Sequence, residues 1–207
     1  MTTHNPQRSV LVIGRSQRVI DDAVAGLREL GYTAQATNDL SNITGRFDFT
    51  EIDVIVFGTQ VSPDRKTELK TEIGAINPRV IFVDGLGGIP GVIINQVQGV
   101  FAADHEAPGR APTYTPDSRS IRLTLADPAD VKVTVFWRTS IVPPDPKSES
   151  LVLLDDRLAA GDHAIPVPAR VFIEPTAPEK VVVRPSEAVF ATVQVDAAIY
   201  TFSISMD

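Results

Sequence analysis

The sequence contains no cysteine among its 207 residues. This absence excludes disulfide bonds, thiolate nucleophiles and cysteine-ligated metal sites. A chain of this length buries about 70% of its unfolded surface, so it can form a stable core without a metal or a disulfide. Its hydrophobic content of 43% is typical of a globular protein and not of a disordered one.

Positive charge is also scarce. The chain has 19 Lys and Arg against 26 Asp and Glu, which gives a net charge of −7, and the basic residues are dispersed. Because nucleic acids and anionic membranes are bound by clustered basic residues, we expect neither as a partner. No run approaches the ~20 apolar residues of a membrane span, and the polar start predicts no secretory signal. We therefore expect a cytoplasmic protein.

The segment from Arg8 to Tyr32 predicts a buried strand, a tight turn and an amphipathic helix. The apolar run from Val10 to Ile13 is typical of a strand that is covered on both faces. Gly14 ends this run, Ser16 can cap the helix, and Gly31 can end it. The predicted buried stripe of the helix consists of Val19, Ile20, Ala23, Val24, Leu27 and Leu30.

Strands and helices alternate through the rest of the first half. The predicted strands are 32–37, 53–57, 79–84 and 100–103. A second helix should start at the Ser62 cap, with Leu69, Ile73 and Ile76 buried, and a short helix should cover 89–97. This alternation predicts an α/β domain with a doubly wound parallel sheet of the Rossmann or flavodoxin type.

The pattern changes in the second half of the chain. A proline-rich stretch at 106–118 is typical of a linker. Beyond it, short strands with frequent turns predict an antiparallel β-sandwich. Its predicted strands are 121–125, 131–137, 151–154, 170–173, 180–183, 188–195 and 199–205. The expected domains are therefore an α/β domain at 1–105, the linker at 106–118 and an all-β domain at 119–207.

Residues 8–104 resemble the receiver domains of response regulators. Receivers carry two acids after the first strand, where this chain has Gly14 and Arg15. The phospho-acceptor aspartate of receivers ends the third strand, where this chain has Gly58. The receiver hydroxyl residue at the end of strand four is replaced by Asp84 or Gly85, and FAADHEAPG lacks the lysine that follows strand five. The resemblance therefore implies a degenerate receiver that cannot accept a phosphoryl group.

The run GRSQRVI also resembles the first loop of short-chain dehydrogenases and other Rossmann domains. Gly14 matches the first glycine of that loop, but Arg18 and Ile20 occupy the positions of the other two. The family's Tyr-x-x-x-Lys pair is missing, because the residues four positions after the three tyrosines are Ala36, Ser118 and Ile204. Binding of a nucleotide or dinucleotide remains an alternative that this resemblance implies.

The second half resembles immunoglobulin-like modules of bacterial proteins. The segments that carry the likeness are VKVTVFW and LVLLDDRLAAGDHAIPVP. Such modules usually mediate contacts or support a neighbouring domain. The resemblance therefore implies an interaction role for this half of the chain.

Ligands of open parallel sheets bind beyond the carboxyl ends of the strands. The candidate ligand-binding residues at that edge are Gly14, Arg15, Ser16, Gly58, Thr59, Asp84, Gly85, Gly87 and Gly88. No catalytic residue, metal site or cofactor can be identified from the sequence. The leading hypothesis is a non-catalytic regulatory or protein-interaction protein, which binds a protein partner or associates with itself. A third hypothesis is a subunit of a larger assembly, with Ile199–Ser205 as a candidate pairing edge.

The alternative hypothesis belongs to another functional class. A nucleotide-binding sensor or an oxidoreductase-like enzyme would use the Gly14 turn and the glycine-rich loop from Gly85 to Gly91. Four glycines in that loop favour either a close backbone approach to a ligand or a mobile segment.

Overall fold

A computed structural model describes residues 8–102, 109–142, 146–172 and 189–205. The chain divides into two compact units, Met1–Ile94 and Asn95–Asp207. Helix α3, at Pro90–Phe101, runs through the boundary between these units.

The described part of the first unit contains a parallel sheet. Its strands are β1 (Ser9–Ile13), β2 (Thr33–Thr37), β3 (Val54–Phe57) and β4 (Ile81–Asp84), in the order β2-β1-β3-β4. The other elements are α1 (Gln17–Glu29), α2 (Pro63–Ile76) and the 3-10 turns Ile43–Gly45 and Phe49–Glu51. The predicted parallel α/β class is confirmed.

Both faces of this sheet are buried. On one face, Leu11 and Phe57 share a core with Leu69 and Ile73 of α2. Side chains alternate along a strand, so Val10, Val12, Val54 and Val56 point to the opposite face, where they are also buried. On that second face, a Cβ built on Gly85 would contact both Val56 and Ile93 of α3.

Helices α1 and α2 each begin directly after a capping serine. The Ser16 side chain accepts a hydrogen bond from the backbone N–H of Val19, and Ser62 does the same for Arg65. Gly31, at φ +87°, follows the end of α1. Leu30, predicted to be buried, is exposed because it lies at the C-cap and not within the helical stripe.

The buried stripe of α2 differs from the predicted one at its C-terminal end. Leu69 and Ile73 are buried as expected, but Ile76 is exposed. The next position on the four-residue spacing is Asn77, which is only 8% exposed. The stripe therefore ends on a buried amide, and Ile76 lies outside it.

The predicted fifth strand at 100–103 is wrong in its described residues. Helix α3 continues through Val100 to Phe101, and Ala103 lies outside the described residues. Ile93, Val97 and Phe101 recur every fourth residue, which is a helical period. The described sheet of the first unit therefore ends at β4.

The described part of the second unit contains two antiparallel sheets. Their strands are β5 (Gly109–Thr115), β6 (Ser120–Leu125), β7 (Ala129–Ser140), β8 (Lys147–Leu158), β9 (Gly161–Pro166), β10 (Val189–Val195) and β11 (Ala198–Ser203). The sheet orders are β11-β10-β7-β8 and β5-β6-β9. Ile121 and Ile165 of one sheet share a core with Val133 and Val193 of the other, as in a sandwich.

Five predicted strands of the second half coincide with β6, β7, β8, β10 and β11 and are confirmed. The predicted strand at 170–173 is wrong in its described residues, because Ala169–Val171 form a 3-10 turn after Pro168. The predicted strand at 180–183 lies outside the described residues. Residues 109–115 of the predicted linker form β5, with Pro112 inside a break in its register with β6.

Candidate functional site

Three of the predicted site residues form a row across the carboxyl ends of the parallel strands. The N–H of Gly14 donates to the carbonyl of Thr37 at 3.1 Å, and that of Gly58 donates to Ile13 at 2.7 Å. The N–H of Gly85 donates to Phe57 at 2.8 Å. Each strand ladder is thereby extended by one residue, and the predicted convergence of Gly14, Gly58 and Gly85 at one sheet edge is found.

Gly14 is enclosed by atoms of its own chain. A Cβ built on Gly14 would lie 2.8 Å from Cγ2 of Ile20, on the helix that follows. In dinucleotide-binding loops, a glycine lets the backbone approach a pyrophosphate closely. Here the space above Gly14 is filled by the Ile20 side chain, so the close approach is between β1 and α1.

Gly58 and Gly85 are enclosed in the same way. A Cβ built on Gly58 would lie 3.3 Å from Cα of Gly14, and one on Gly85 would lie 3.1 Å from the carbonyl oxygen of Phe57. Both neighbours are backbone atoms, which cannot rotate away as a side chain can. Glycine at these two positions therefore serves the packing of the strand ends.

Gly87 and Gly88 form the turn that leads to α3. Their φ values are +68° and +58°, a conformation that favours glycine. A Cβ built on Gly88 would lie 3.6 Å from Oγ1 of Thr59, so the loop after β3 and the loop after β4 are neighbours. The structure thus places Thr59 and Gly88 beside each other, with the Thr59 residue exposed.

Arg15 and Ser16 lie at the start of α1. Arg15 is exposed. Oγ of Ser16 lies 3.5 Å from the N–H of Val19, which it caps. The hydroxyl therefore satisfies a donor of its own helix, and the cationic side chain of Arg15 remains at the surface of the same turn.

Asp84 is bound by lysines of α2. Its carboxylate accepts hydrogen bonds from Nζ of Lys66 at 2.8 Å and from Nζ of Lys70 at 3.1 Å. The hydrogen bond from Lys66 is the largest cause that lowers the pKa of Asp84, and Lys70 adds to it, while partial burial acts in the opposite direction. Asp84 pairs in register with Phe57, whose side chain lies in the α2 core, so the carboxylate is on that face.

The two lysines were not identified from the sequence. Their i, i+4 spacing on a helix next to a strand that ends in aspartate is the signal that was available. Lys70 also lies 5.7 Å from the centroid of the Phe57 ring, which stacks on Phe82 at 6.0 Å. The contacts of Lys66 and Lys70 therefore link α2 to the sheet.

The second unit has a surface cavity of about 290 Å³ that sequence reasoning did not find. The lining residues are Asp130, Val131, Lys132, Asp155, Asp156, Arg157, Gln194 and Asp196. Its two cations are paired, Lys132 with Asp155 at 2.7 Å and Arg157 with Asp130 at 3.0 Å. Within the described ranges, no group of three or more His, Cys, Asp or Glu residues could hold a metal ion.

Comparison with known proteins gives no family. No model of a protein family matches the chain, and no curated protein matches it. Among the described residues, no helix has both the length and the apolar character needed to cross a membrane.

Proposed function

We propose that this chain is a non-catalytic regulatory or interaction protein, in which a degenerate receiver-like or Rossmann-like unit is joined to an immunoglobulin-like β-sandwich. One observation carries the proposal: atoms of the chain itself fill the space at the carboxyl ends of the parallel strands. Ile20 fills the space above Gly14, backbone atoms enclose Gly58 and Gly85, and two lysines bind Asp84.

The chemistry of receiver domains supports the same conclusion. Phosphoryl transfer in receivers needs carboxylates that hold Mg²⁺ and accept the phosphoryl group. Gly14, Arg15 and Gly58 stand at those positions and supply none. The Asp84 carboxylate lies on the α2 face in contact with Lys66 and Lys70, which is a different arrangement from an acid cluster open to a metal ion.

Nucleotide binding is the second candidate, and one observation favours it. Exposed Arg15 and Thr59 lie in the loops that follow β1 and β3, at the edge where doubly wound sheets bind ligands. Arg15 also precedes the N-terminus of α1, where an anion would be stabilised by the backbone N–H groups. A nucleotide phosphate is the ligand class that this arrangement would accept.

Thermal unfolding with a ligand panel separates the two functions. The panel consists of NAD(H), NADP(H), ATP, GTP, flavins, S-adenosylmethionine and phosphate. A ligand at 100 times its Kd adds about 2.7 kcal/mol of stability, which would raise the Tm by several degrees. We expect no shift with any of them.

A shift with one nucleotide would overturn the non-catalytic interaction proposal if Arg15→Ala removed it. The matched control is Arg18→Ala, which removes a second exposed arginine of the same region, in this case one that pairs with Asp22 at 3.7 Å. A nucleotide site at the β1 turn would lose its thermal shift with the first variant and keep it with the second.

A further inference from the structure

Strand β8 is the longest edge strand of the described sheets. It has 12 residues, Lys147–Leu158, and lies at the end of the order β11-β10-β7-β8. Within the part of the chain that the structure describes, β7 is its one neighbour in the sheet. Residues 147–150 and Val152 are exposed. The N-terminal half of this edge is therefore accessible to a partner strand.

The hydrogen bonds of β7 define which of its peptide groups point to β8. The carbonyl of Asp130 accepts a hydrogen bond from the N–H of Asp196, which directly follows β10, at 2.8 Å. Asp130 therefore points to the β10 side of β7. Because peptide groups alternate in direction along a strand, Val135 points to the opposite side, toward β8.

On β8, the peptide groups of Ser150 and Val152 point outward. Leu151 is the register partner of Val135, so these two residues exchange their hydrogen bonds. The neighbours of Leu151 therefore direct their N–H and carbonyl groups away from β7. The register with β7 is regular from Ser148 to Val152. An exposed and regular segment with outward donors and acceptors is a template for another strand.

A bulge and three charges protect the C-terminal half of β8. The register with β7 shifts between Val152 and Leu154, and residues 155–157 are all charged. Bulges and charged side chains are edge protections. Residues 148–152 contain no proline and no bulge, and Glu149 is their one charged residue. Strand addition is therefore favoured on the N-terminal half.

The other edges of the two antiparallel sheets carry features that oppose strand addition. At β11, a Cβ on Gly99 of α3 would lie 3.0 Å from the carbonyl oxygen of Ile199. The helix therefore lies against the strand that the sequence suggests as a pairing edge. Strand β5 has Pro112 within a register shift, and β9 ends in Pro166, which has no N–H to donate. Bulges and prolines of this kind are edge protections.

The two edges of the parallel sheet, β2 and β4, are shorter, with five and four residues. The N–H of Thr33 donates to Arg8 on the β1 side, so Ala34 of β2 points outward. Its carbonyl accepts a hydrogen bond from Nε of Arg28 in α1 at 2.9 Å. Asp84, at the end of β4, is bound by two lysines of α2. Both edges are therefore already engaged by a helix, unlike the N-terminal half of β8.

We propose that β8 pairs with β8 of a second copy of this chain, antiparallel and around a two-fold axis at Leu151. This inference rests on the proposed interaction function and names its surface. Ser150 of each copy would exchange both of its outward hydrogen bonds with Val152 of the other. The pairing is self-complementary, as an isologous interface requires.

The side chains around the axis select this register. The two Leu151 side chains lie opposite each other, and Glu149 lies opposite Leu153, so no like charges face one another. A two-fold axis at Ser150 would instead place the two Glu149 side chains diagonally across the axis. Like charges at that separation are within reach of each other and repel.

Charge complementarity at both ends of the paired segment favours a second copy as the occupant. Lys147 of one copy would approach Asp155 and Asp156 of the other, and the two-fold axis repeats this contact. Asp155 also pairs with Lys132 of its own chain at 2.7 Å. Opposite charges across paired strands stabilise the pairing. Because so short a segment buries less than the ~1,200 Å² of a stable interface, the dimer is weak and depends on concentration.

Sedimentation velocity of the full chain over a concentration series tests the proposal. The weight-average sedimentation coefficient should rise with concentration for the wild-type chain. Ser150→Pro removes an outward N–H and leaves the hydrogen bonds between Leu151 and β7 in place. It should therefore weaken dimerisation at least about tenfold. The matched control is Ser150→Ala, which keeps the amide and should leave the series unchanged.

Amide hydrogen exchange of the wild-type chain supplies a readout that needs no variant. The Ser150 and Val152 amides should exchange more slowly as the concentration rises. A chain that stays monomeric throughout, an unchanged series for Ser150→Pro, an equal loss for Ser150→Ala, or unchanged exchange rates would each overturn the β8 dimer. The nucleotide panel is independent of these results, so a monomer that also binds no nucleotide overturns the dimer and leaves the interaction function standing.

Discussion

Nζ of Lys66 lies 2.8 Å from Oδ1 of Asp84, while Nζ of Lys70 lies 3.1 Å from Oδ2 of the same carboxylate. Residues four apart lie on one face of a helix, so α2 presents both cations together. The two contacts link α2 to the end of the strand that follows it in the chain. They also account for the lowered pKa of Asp84, whose largest cause is the hydrogen bond from Lys66.

Replacing Asp84 with asparagine removes the charge of this link. Since the Asp84 side chain is 55% exposed, solvent screens the pair. We expect Asp84→Asn to lower the free energy of unfolding by about 0.5–1 kcal/mol, as measured by urea unfolding in low salt. The loss should shrink in high salt, where exposed charges are screened.

The matched control for this variant is Asp22→Asn. Asp22 contacts Arg18 at 3.7 Å between two exposed side chains, so its loss should be close to zero. Equal losses for the two variants would contradict a specific role of the two-lysine contact.

The same carboxylate makes stability depend on pH in a defined direction. The pKa of Asp84 is lower in the folded chain than in the unfolded chain. Its contribution is therefore fully present above the unfolded pKa of about 3.9 and is lost as the pH falls through the folded value. The difference in unfolding free energy between the wild type and Asp84→Asn should be constant near neutrality and should shrink below about pH 4.

Urea unfolding at several pH values measures this difference directly. A difference that stays constant down to pH 2 would show that Asp84 has an ordinary pKa in the folded chain.

Asn77 supplies a buried polar link at the other end of α2. Its Nδ2 group donates to the carbonyls of Phe49 at 3.0 Å and Ile52 at 2.9 Å, and its Oδ1 accepts from the N–H of Arg79 at 3.0 Å. Asn77→Ala removes the side-chain partner of all three groups, of which the Phe49 carbonyl still accepts from the N–H of Ile52 at 3.4 Å. We expect a loss of about 2–3 kcal/mol in the free energy of unfolding, measured by urea titration.

Asn38→Ala is the control for this substitution, because Asn38 is exposed. It should change the free energy of unfolding by less than about 0.5 kcal/mol. A loss for Asn77→Ala as small as that of the control would mean that water replaces the amide without cost.

The parallel part of the fold could be predicted because its signals are local. The run from Val10 to Ile13 is apolar throughout, and Ser16 and Ser62 precede helices that they cap in the structure. Residues 100–103 were misassigned because the valine and phenylalanine there favour strands, whereas the four-residue spacing from Ile93 to Phe101 favours the observed helix.

The site was only partly predictable, for a physical reason. Strand ends identify which residues meet at a sheet edge, and Gly14, Gly58 and Gly85 do meet there. Whether the space above a glycine is open depends on tertiary packing, which one sequence does not specify. The Ile20 side chain above Gly14 and the lysines around Asp84 are contacts of this kind.

Alanine substitutions at Gly85 and at Gly74 should therefore have opposite effects on the free energy of unfolding. A Cβ on Gly85 would lie 3.1 Å from the carbonyl oxygen of Phe57 and 3.2 Å from Cγ1 of Val56, so the strand end or the valine must shift. Gly85→Ala should lower the free energy of unfolding by about 1–3 kcal/mol. In α2, a Cβ on Gly74 would meet nothing within 4 Å. Gly74→Ala should therefore raise the free energy of unfolding by about 0.5–1 kcal/mol. Urea unfolding of both variants measures these changes, and a neutral Gly85→Ala would show that the edge has room for a ligand's close approach.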